Sequence, residues 1–463
     1  MSQVKDRLQG RQRGAGERCA RLANRLGTAT CRVLGTQGAA PTLLAGGGLI
    51  LGLLAAPAPA RAQAADSRPG IPGRSGLPRG KIRLGVDVLL AERGRPLAGK
   101  RVGLLTNHTG RTAAGESTID ALNALPGVKL VALFAPEHGI RGTEAPGANI
   151  QSGRDERTGL PVYSLYGATR SPTPEMLKGL DALVVDLQDV GTRYYTYDWT
   201  TMLAMKAAAA AGLDFYILDR PDPIGGARLV GNVLQPGFES LVGLYPVTMA
   251  FGMTLGELAT YINAEHHIGA KLHVIRMEGW RHGLWYDHTA LPWVPPSPNM
   301  PDVESAASYP GTCLFEGTNV SVGRGTPNAF AQIGAPWLDG AELARRLNAR
   351  HLRGVRFEAA TFTPHNPGDE MYPDTTVQGV RFVVTDRATY DAAVAGVAAV
   401  LDIRALRPTQ FRITQPKHFD RLAGTDRVRT QIEAGASLAE ITSDWPAQRA
   451  RFDRERRKYL LYP

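Results

Sequence analysis

The chain has 463 residues, of which 43% are hydrophobic and 21% charged, ordinary values for a folded globular protein with enough length for two domains. Its net charge of +10 would suggest nucleic-acid binding, but residues 1–64 carry nine Lys/Arg against Asp6 and Glu17 and so hold most of the excess. The rest lacks the basic stripe that phosphate neutralisation needs, so nucleic acid is not expected as a partner.

Residues 1–64 read as an export signal: basic positions from Lys5 to Arg32, an apolar stretch from Leu43 to Ala56, then small residues ending in Ala62-Gln63-Ala64. Cleavage after Ala64 is expected, placing the mature chain in the periplasm or outside the cell. The apolar stretch contains four glycines and is shorter than the roughly 20 residues of a spanning helix; left uncleaved, it would tether the protein to a membrane. Residues 65–80, rich in Pro, Gly, Arg and Ser, read as a flexible tether.

From residue 81 a βα rhythm begins. The apolar runs Val102 to Leu105, Leu130 to Phe134, Ala182 to Leu187 and Phe215 to Leu218 alternate with helical stretches such as Ser117 to Ala124 and Thr200 to Ala211. This pattern predicts an α/β fold: a Rossmann-like, mostly parallel sheet covered by helices over 81–270, closed by a helix at Thr254 to Glu265. A smaller mixed α/β domain is expected over 271–463, with a helix Asp339 to Ala349, a strand Gly379 to Thr385, a helix Ala388 to Leu401 and a basic helical tail from Pro446 to Lys458. Cys19 and Cys31 precede residue 65, so Cys313 stands alone in the mature chain and no internal disulfide is possible. It lies in a strand-like run and reads as a buried structural thiol. No CxxC, HExxH or other spaced ligand set is present, so no metal is expected.

Ligands of an open parallel sheet bind outside the carboxyl ends of its strands. The four expected strands run into Thr106-Asn107-His108-Thr109-Gly110, Ala135-Pro136-Glu137-His138-Gly139-Ile140-Arg141-Gly142, Asp186 to Tyr197, and Asp219-Arg220-Pro221-Asp222-Pro223. No GxGxxG or GxxxxGK[ST] follows the first strand, which argues against a phosphate-binding site for a dinucleotide. Carboxylates among amides, a histidine and arginines suit glycosidic cleavage, which needs a proton donor and a second group that activates water or steadies an oxocarbenium-like transition state. Glu137 is the candidate donor, because Pro136 and Gly139 restrict and turn the backbone around it. Asp186 and Glu316 are the candidate second carboxylates, and each also has a structural reading, as a loop cap or an anchor for Gly317-Thr318-Asn319. His138 would orient Glu137 or bond a sugar hydroxyl. Tyr194, Tyr195, Tyr197 and Trp199 are either a sugar-stacking platform or packing between domains.

Taken with Glu316-Gly317-Thr318-Asn319 and Gly323-Arg324-Gly325-Thr326, these motifs in this order resemble the exo-β-N-acetylmuramidase family, long known only as a domain of unknown function. The resemblance covers nearly everything from Lys81 onward and implies a cleft between a Rossmann-like domain and a smaller α/β domain. It also implies removal of N-acetylmuramic acid from the non-reducing ends of peptidoglycan fragments, without a redox cofactor. The family's suspected catalytic glutamate falls on Glu137. Substrate-binding groups are then expected at Asn107, His108, Arg141, Gln188, Arg193, Tyr195, Asp219, Arg220, Asn319 and Arg324, with Arg141, Arg193 and Arg324 as candidates for the lactyl carboxylate. Asp222 stands where the family leads one to expect Asn. A cell-wall esterase or amidase is the competing enzyme, though no G-x-S-x-G or S-x-x-K nucleophile motif supports it; a non-catalytic muropeptide binder is the other alternative.

Overall fold

The computed structural model describes residues 82–140 and 152–463; the expected signal, the tether and Arg141 lie outside them. The first helix, α1 (Gly85–Ala91), leads into a sheet built from β1 (Arg101–Thr106), β2 (Lys129–Ala135), β3 (Gly153–Arg154), β4 (Pro161–Ser164), β5 (Ala182–Asp186) and β6 (Asp214–Leu218). Helices α2 (Thr118–Asn123), α3 (Pro174–Leu177) and α4 (Thr196–Ala210) alternate with them. A two-stranded ribbon, β7 (Val230–Val233) with β8 (Thr248–Ala250), and helix α5 (Leu255–Glu265) precede the last strand of the sheet, β9 (Lys271–Ile275). The boundary expected near residue 270 therefore falls just before an edge strand of the first sheet.

The strand order is β3-β4-β2-β1-β5-β6-β9, with β3 alone antiparallel. Without β3 this is the doubly wound order of a Rossmann sheet, whose switch point lies between β1 and β5. The central strands are buried along nearly their whole length, since helices cover both faces; this is why they read as unbroken apolar runs. Thr106 and Asp186 are register partners, and the Thr106 hydroxyl donates to the Asp186 carbonyl at 2.8 Å, so the loops after β1 and β5 leave the sheet side by side.

The second half holds α6 (Val303–Thr312), an antiparallel sheet of β10 (Gln332–Ala335), β11 (Val355–Phe362) and β12 (Val377–Val384), and helices α7 (Gly340–Ala349) and α8 (Ala392–Leu406). Helix α8 starts later than its sequence suggests because Asp391 caps it, accepting from the Val394 amide at 3.1 Å. Helices α6 and α8 cross backbone to backbone: a Cβ on Gly311 would meet the Ala392 carbonyl oxygen at 1.9 Å. Cys313 follows α6 in a 3₁₀ turn rather than a strand, and it is fully buried, as expected of a structural thiol.

Four short helices close the chain: α9 (Pro416–Ala423), α10 (Arg427–Glu433), α11 (Leu438–Ile441) and α12 (Trp445–Arg456). The basic tail docks rather than floats, burying Trp445 and Phe452 while the Arg456 guanidinium reaches the carbonyls of Gly226 and Gly252. One apolar cluster runs from the α4 side of the first sheet through α6, α8 and the second sheet, whereas α1, α2 and Trp280 pack on the opposite face.

Candidate active site

Strand β2 delivers Glu137 to the carboxyl edge of the first sheet through a turn in which His138 (φ 69°) and Gly139 (φ 71°) are both left-handed. Positive φ is uncommon outside glycine, though histidine adopts it more readily than most residues, and here it turns the chain sharply just after Glu137. The Glu137 carboxylate accepts from the Thr196 hydroxyl at 2.6 Å, at the first turn of α4. Burial, with Glu137 acting alongside it, pushes the Tyr166, Tyr195 and Tyr197 hydroxyls up, which keeps them neutral donors around this carboxyl.

Four of the expected binding residues each carry a buried polar atom without a well-formed hydrogen bond: Asn107 Nδ2, His108 Nδ1, Gln188 Oε1 and Tyr195 Oη. Their other atoms are pinned. Asn107 Oδ1 accepts from the Thr109 amide and hydroxyl at 2.9 and 2.6 Å, His108 Nε2 meets the Pro295 carbonyl at 2.8 Å, and Gln188 Nε2 donates to the Pro221 carbonyl at 2.9 Å. Burial lowers the His108 pKa, so a neutral ring is favoured. Buried polar atoms rarely go unpaired, and a group of them on strand-end loops marks a place built for a polar ligand.

Glu316 sits in the second half on the turn after α6. Arg324 grips it through Nε at 3.0 Å and through Nη2, His418 Nε2 lies 3.8 Å away, and Cys313 Sγ approaches at 3.5 Å. Burial pushes the carboxyl up, but Arg324 and His418 outweigh it and hold its pKa at about 2. Glu316 is thus ionised at any physiological pH. An edge-on pair, Tyr195 and Tyr309 with centroids 6.4 Å apart, links the two carboxylates, because Glu137 acts on the Tyr195 hydroxyl and Glu316 on that of Tyr309.

Other expected residues do different work. Asp186 is fully buried, held by Arg220 through Nε at 2.6 Å and Nη2 at 2.9 Å and by the Thr118 hydroxyl, so it braces the switch point. Arg193 is also fully buried, donating to the carbonyls of Asn232, Val247 and Leu422; it ties the first half to α9 and has no access to a substrate carboxylate. Burial depresses its pKa to about 10. Asp219 accepts from Thr254, from the Gly256 amide and from Tyr462, anchoring the start of α5 and the chain's end, and burial pushes its pKa up to about 6. Asn319 is spent on the backbone of Gln410 and Arg412. Tyr194, Tyr197 and Trp199 are buried and their polar atoms donate to carbonyls, so they pack rather than form an exposed stacking platform.

The sequence reading missed Thr196, Tyr166, Tyr309 and His418. Thr196 sits inside a motif already singled out, but nothing near His418 in the chain hints at Glu316. Also unforeseen is a buried trio, Asp189, Asp198 and Asp222: burial pushes every pKa up, helped by Asp219 at Asp189, by Asp189 and Asp222 at Asp198 and by Asp189 at Asp222, and both Asp198 oxygens lack a partner. Among the described residues no group of side chains is arranged to hold a metal ion.

Known proteins are similar to this chain in sequence and fold. Peptidoglycan beta-N-acetylmuramidase NamZ of Bacillus subtilis (strain 168) is 46% identical over 382 residues, covering 82% of this chain and 92% of the relative. Crystal structures of two DUF1343 family proteins from Bacteroides fragilis NCTC 9343 superpose with TM-scores of 0.78 and 0.65 at 37% and 32% identity. Each alignment covers 83% of this chain, and respectively 100% and 99% of theirs. Residues 102–304 match the family described as exo-beta-N-acetylmuramidase NamZ, N-terminal, and residues 307–462 its C-terminal counterpart. The chain therefore belongs to the exo-β-N-acetylmuramidase NamZ family.

Proposed function

We infer that the protein is a glycoside hydrolase, an exo-β-N-acetylmuramidase that releases N-acetylmuramic acid from the non-reducing ends of peptidoglycan fragments. The observation that carries this reading is Glu137, fixed by Thr196 at a strand end among buried polar atoms without a well-formed hydrogen bond. Glu137 protonates the leaving glycosidic oxygen. Glu316, kept ionised by Arg324 and His418, faces the positive charge that develops at the anomeric carbon or activates the attacking water. Neutral hydroxyls and amides around Glu137 bond the sugar. The leader's basic, apolar and small-residue order supports export, so the enzyme would meet its substrate in the periplasm or outside the cell.

The test is incubation of the purified chain with a small glycoside ending in N-acetylmuramic acid, with products identified by mass. Free N-acetylmuramic acid is expected; cleavage only at internal bonds, or no cleavage, would overturn the assignment.

A further inference from the structure

Beside the catalytic loops, over the switch point between β1 and β5, lies a small open recess whose lining includes Arg111, Gln188 and Arg220 and the apolar side chains of Leu84, Leu291 and Val294. Arg220 is 4% exposed and has Nε and Nη2 committed to Asp186 and to the Arg111 carbonyl, while Nη1 has no protein partner. Arg111 has Nε on the His108 carbonyl at 2.9 Å and Nη1 on the Gly115 carbonyl at 3.0 Å, which leaves Nη2 over. Two guanidinium groups are thus held rigidly with one N–H edge each unspent. Asp186 pairs with Arg220, and Asp87, seated on the Leu84 and Ala113 amides, also acts on Arg220, so the attraction for an anionic group comes from the two unspent N–H edges rather than from a net charge. The Gln188 amide nitrogen is fixed on Asp189 and Pro221 carbonyls, which leaves Oε1 as a buried acceptor waiting for a donor.

We propose that this recess reads the lactyl group of the terminal N-acetylmuramic acid, an assignment that rests on the muramidase reading above. The lactyl ether carries one carboxylate and one methyl, matching two guanidinium edges and an apolar wall. The neighbouring 2-acetamido N–H supplies the donor that Gln188 Oε1 lacks. Recess and Glu137 group are built from the same two segments. Thr109 lines the recess while bonding Asn107, and the stretch contributing Leu291 and Val294 continues into Pro295 and Pro296, whose carbonyls meet His108 at 2.8 Å and Tyr197 at 2.6 Å. Held this way, a guanidinium loses little entropy on binding a carboxylate. Arg111, which no motif singles out, becomes the specificity residue in place of Arg193.

The experiment compares kcat/KM for an aryl β-N-acetylmuraminide and the corresponding β-N-acetylglucosaminide in wild type, Arg111→Ala, Arg111→Lys and Leu291→Trp, which fills the recess. The expected result is that Arg111→Ala and Leu291→Trp lower the muraminide preference by about 10- to 100-fold, with Arg111→Lys between them and wild type. Where the glucosaminide is not turned over, the dissociation constants of N-acetylmuramic acid and N-acetylglucosamine are compared instead, and the preference for the former should fall in the same variants. An unchanged ratio, or an equal loss on both substrates, overturns the recess assignment while leaving the muramidase reading intact. Wild type that cleaves neither glycoside overturns that reading, and the recess assignment with it.

Discussion

Arg220 closes on Asp186 as a planar fork, Nε to Oδ1 at 2.6 Å and Nη2 to Oδ2 at 2.9 Å, with both side chains out of solvent. Removing the charge from one side leaves a guanidinium buried without compensation, which typically costs about 3–5 kcal/mol. Asp186→Asn is therefore expected to lower unfolding stability by that order in urea titration. A loss under about 1 kcal/mol would mean that the pair contributes little beyond its neighbours.

Glu137→Gln keeps the shape of the side chain and its bond from Thr196 but cannot deliver a proton. Turnover of a glycoside with a poor leaving group should fall by about 10² to 10⁴, with the melting temperature nearly unchanged. A variant that retained full turnover would show that the proton comes from elsewhere.

Glu316 has a folded pKa of about 2, below its ordinary 4.5. A depressed carboxylate pKa adds stability that is present above the unfolded value and is lost as pH falls through the folded one. Here the window runs from about pH 4.5 down to about 2, and the amount at stake is on the order of 3 kcal/mol. Glu316→Gln should flatten the acid side of the stability profile in that window. The acid limb of wild-type turnover above about pH 3 should persist in its position, because it belongs to another group.

Asp189 shows the opposite sign, since burial raises its pKa from 3.8 to about 7. The folded state holds this proton more tightly than the unfolded chain does. Stability is lost as pH rises from about 4 to about 7 and levels off above. Asp189→Asn can still accept the Gly191 amide, bonded at 3.0 Å in the native protein. The variant's stability relative to wild type should grow across that window, by an amount on the order of 4 kcal/mol, in denaturant titrations at stepped pH.

Cys313 is fully buried, and burial together with the Glu316 charge keeps its thiol protonated. Thiolate is the reactive form. A maleimide should therefore leave Cys313 of the native protein unlabelled at neutral pH, as read by peptide mapping, and label it at the global unfolding rate as denaturant is added. Rapid labelling of native protein would place the thiol in an open site.

The local signals in the sequence determined much of this protein. Strands β1, β2, β5 and β6 announced themselves because a parallel sheet covered on both faces needs unbroken apolar runs, and Glu137 stood out because Pro and Gly flank it at a strand end. The motif order was enough to indicate the family. Only the tertiary structure decided what each charged residue does, because an arginine is a ligand or a brace according to what the fold packs around it. Arg193 and Arg220 sit in equally conspicuous motifs, yet one is enclosed by three carbonyls from distant segments and the other keeps an N–H edge on a recess. The same holds for Glu316, whose state is set by Arg324 nearby and by His418, brought back by a helix far along the chain. Charge, burial and hydrogen bonding are properties of neighbours in space, and sequence spacing reports them only within a single turn or strand.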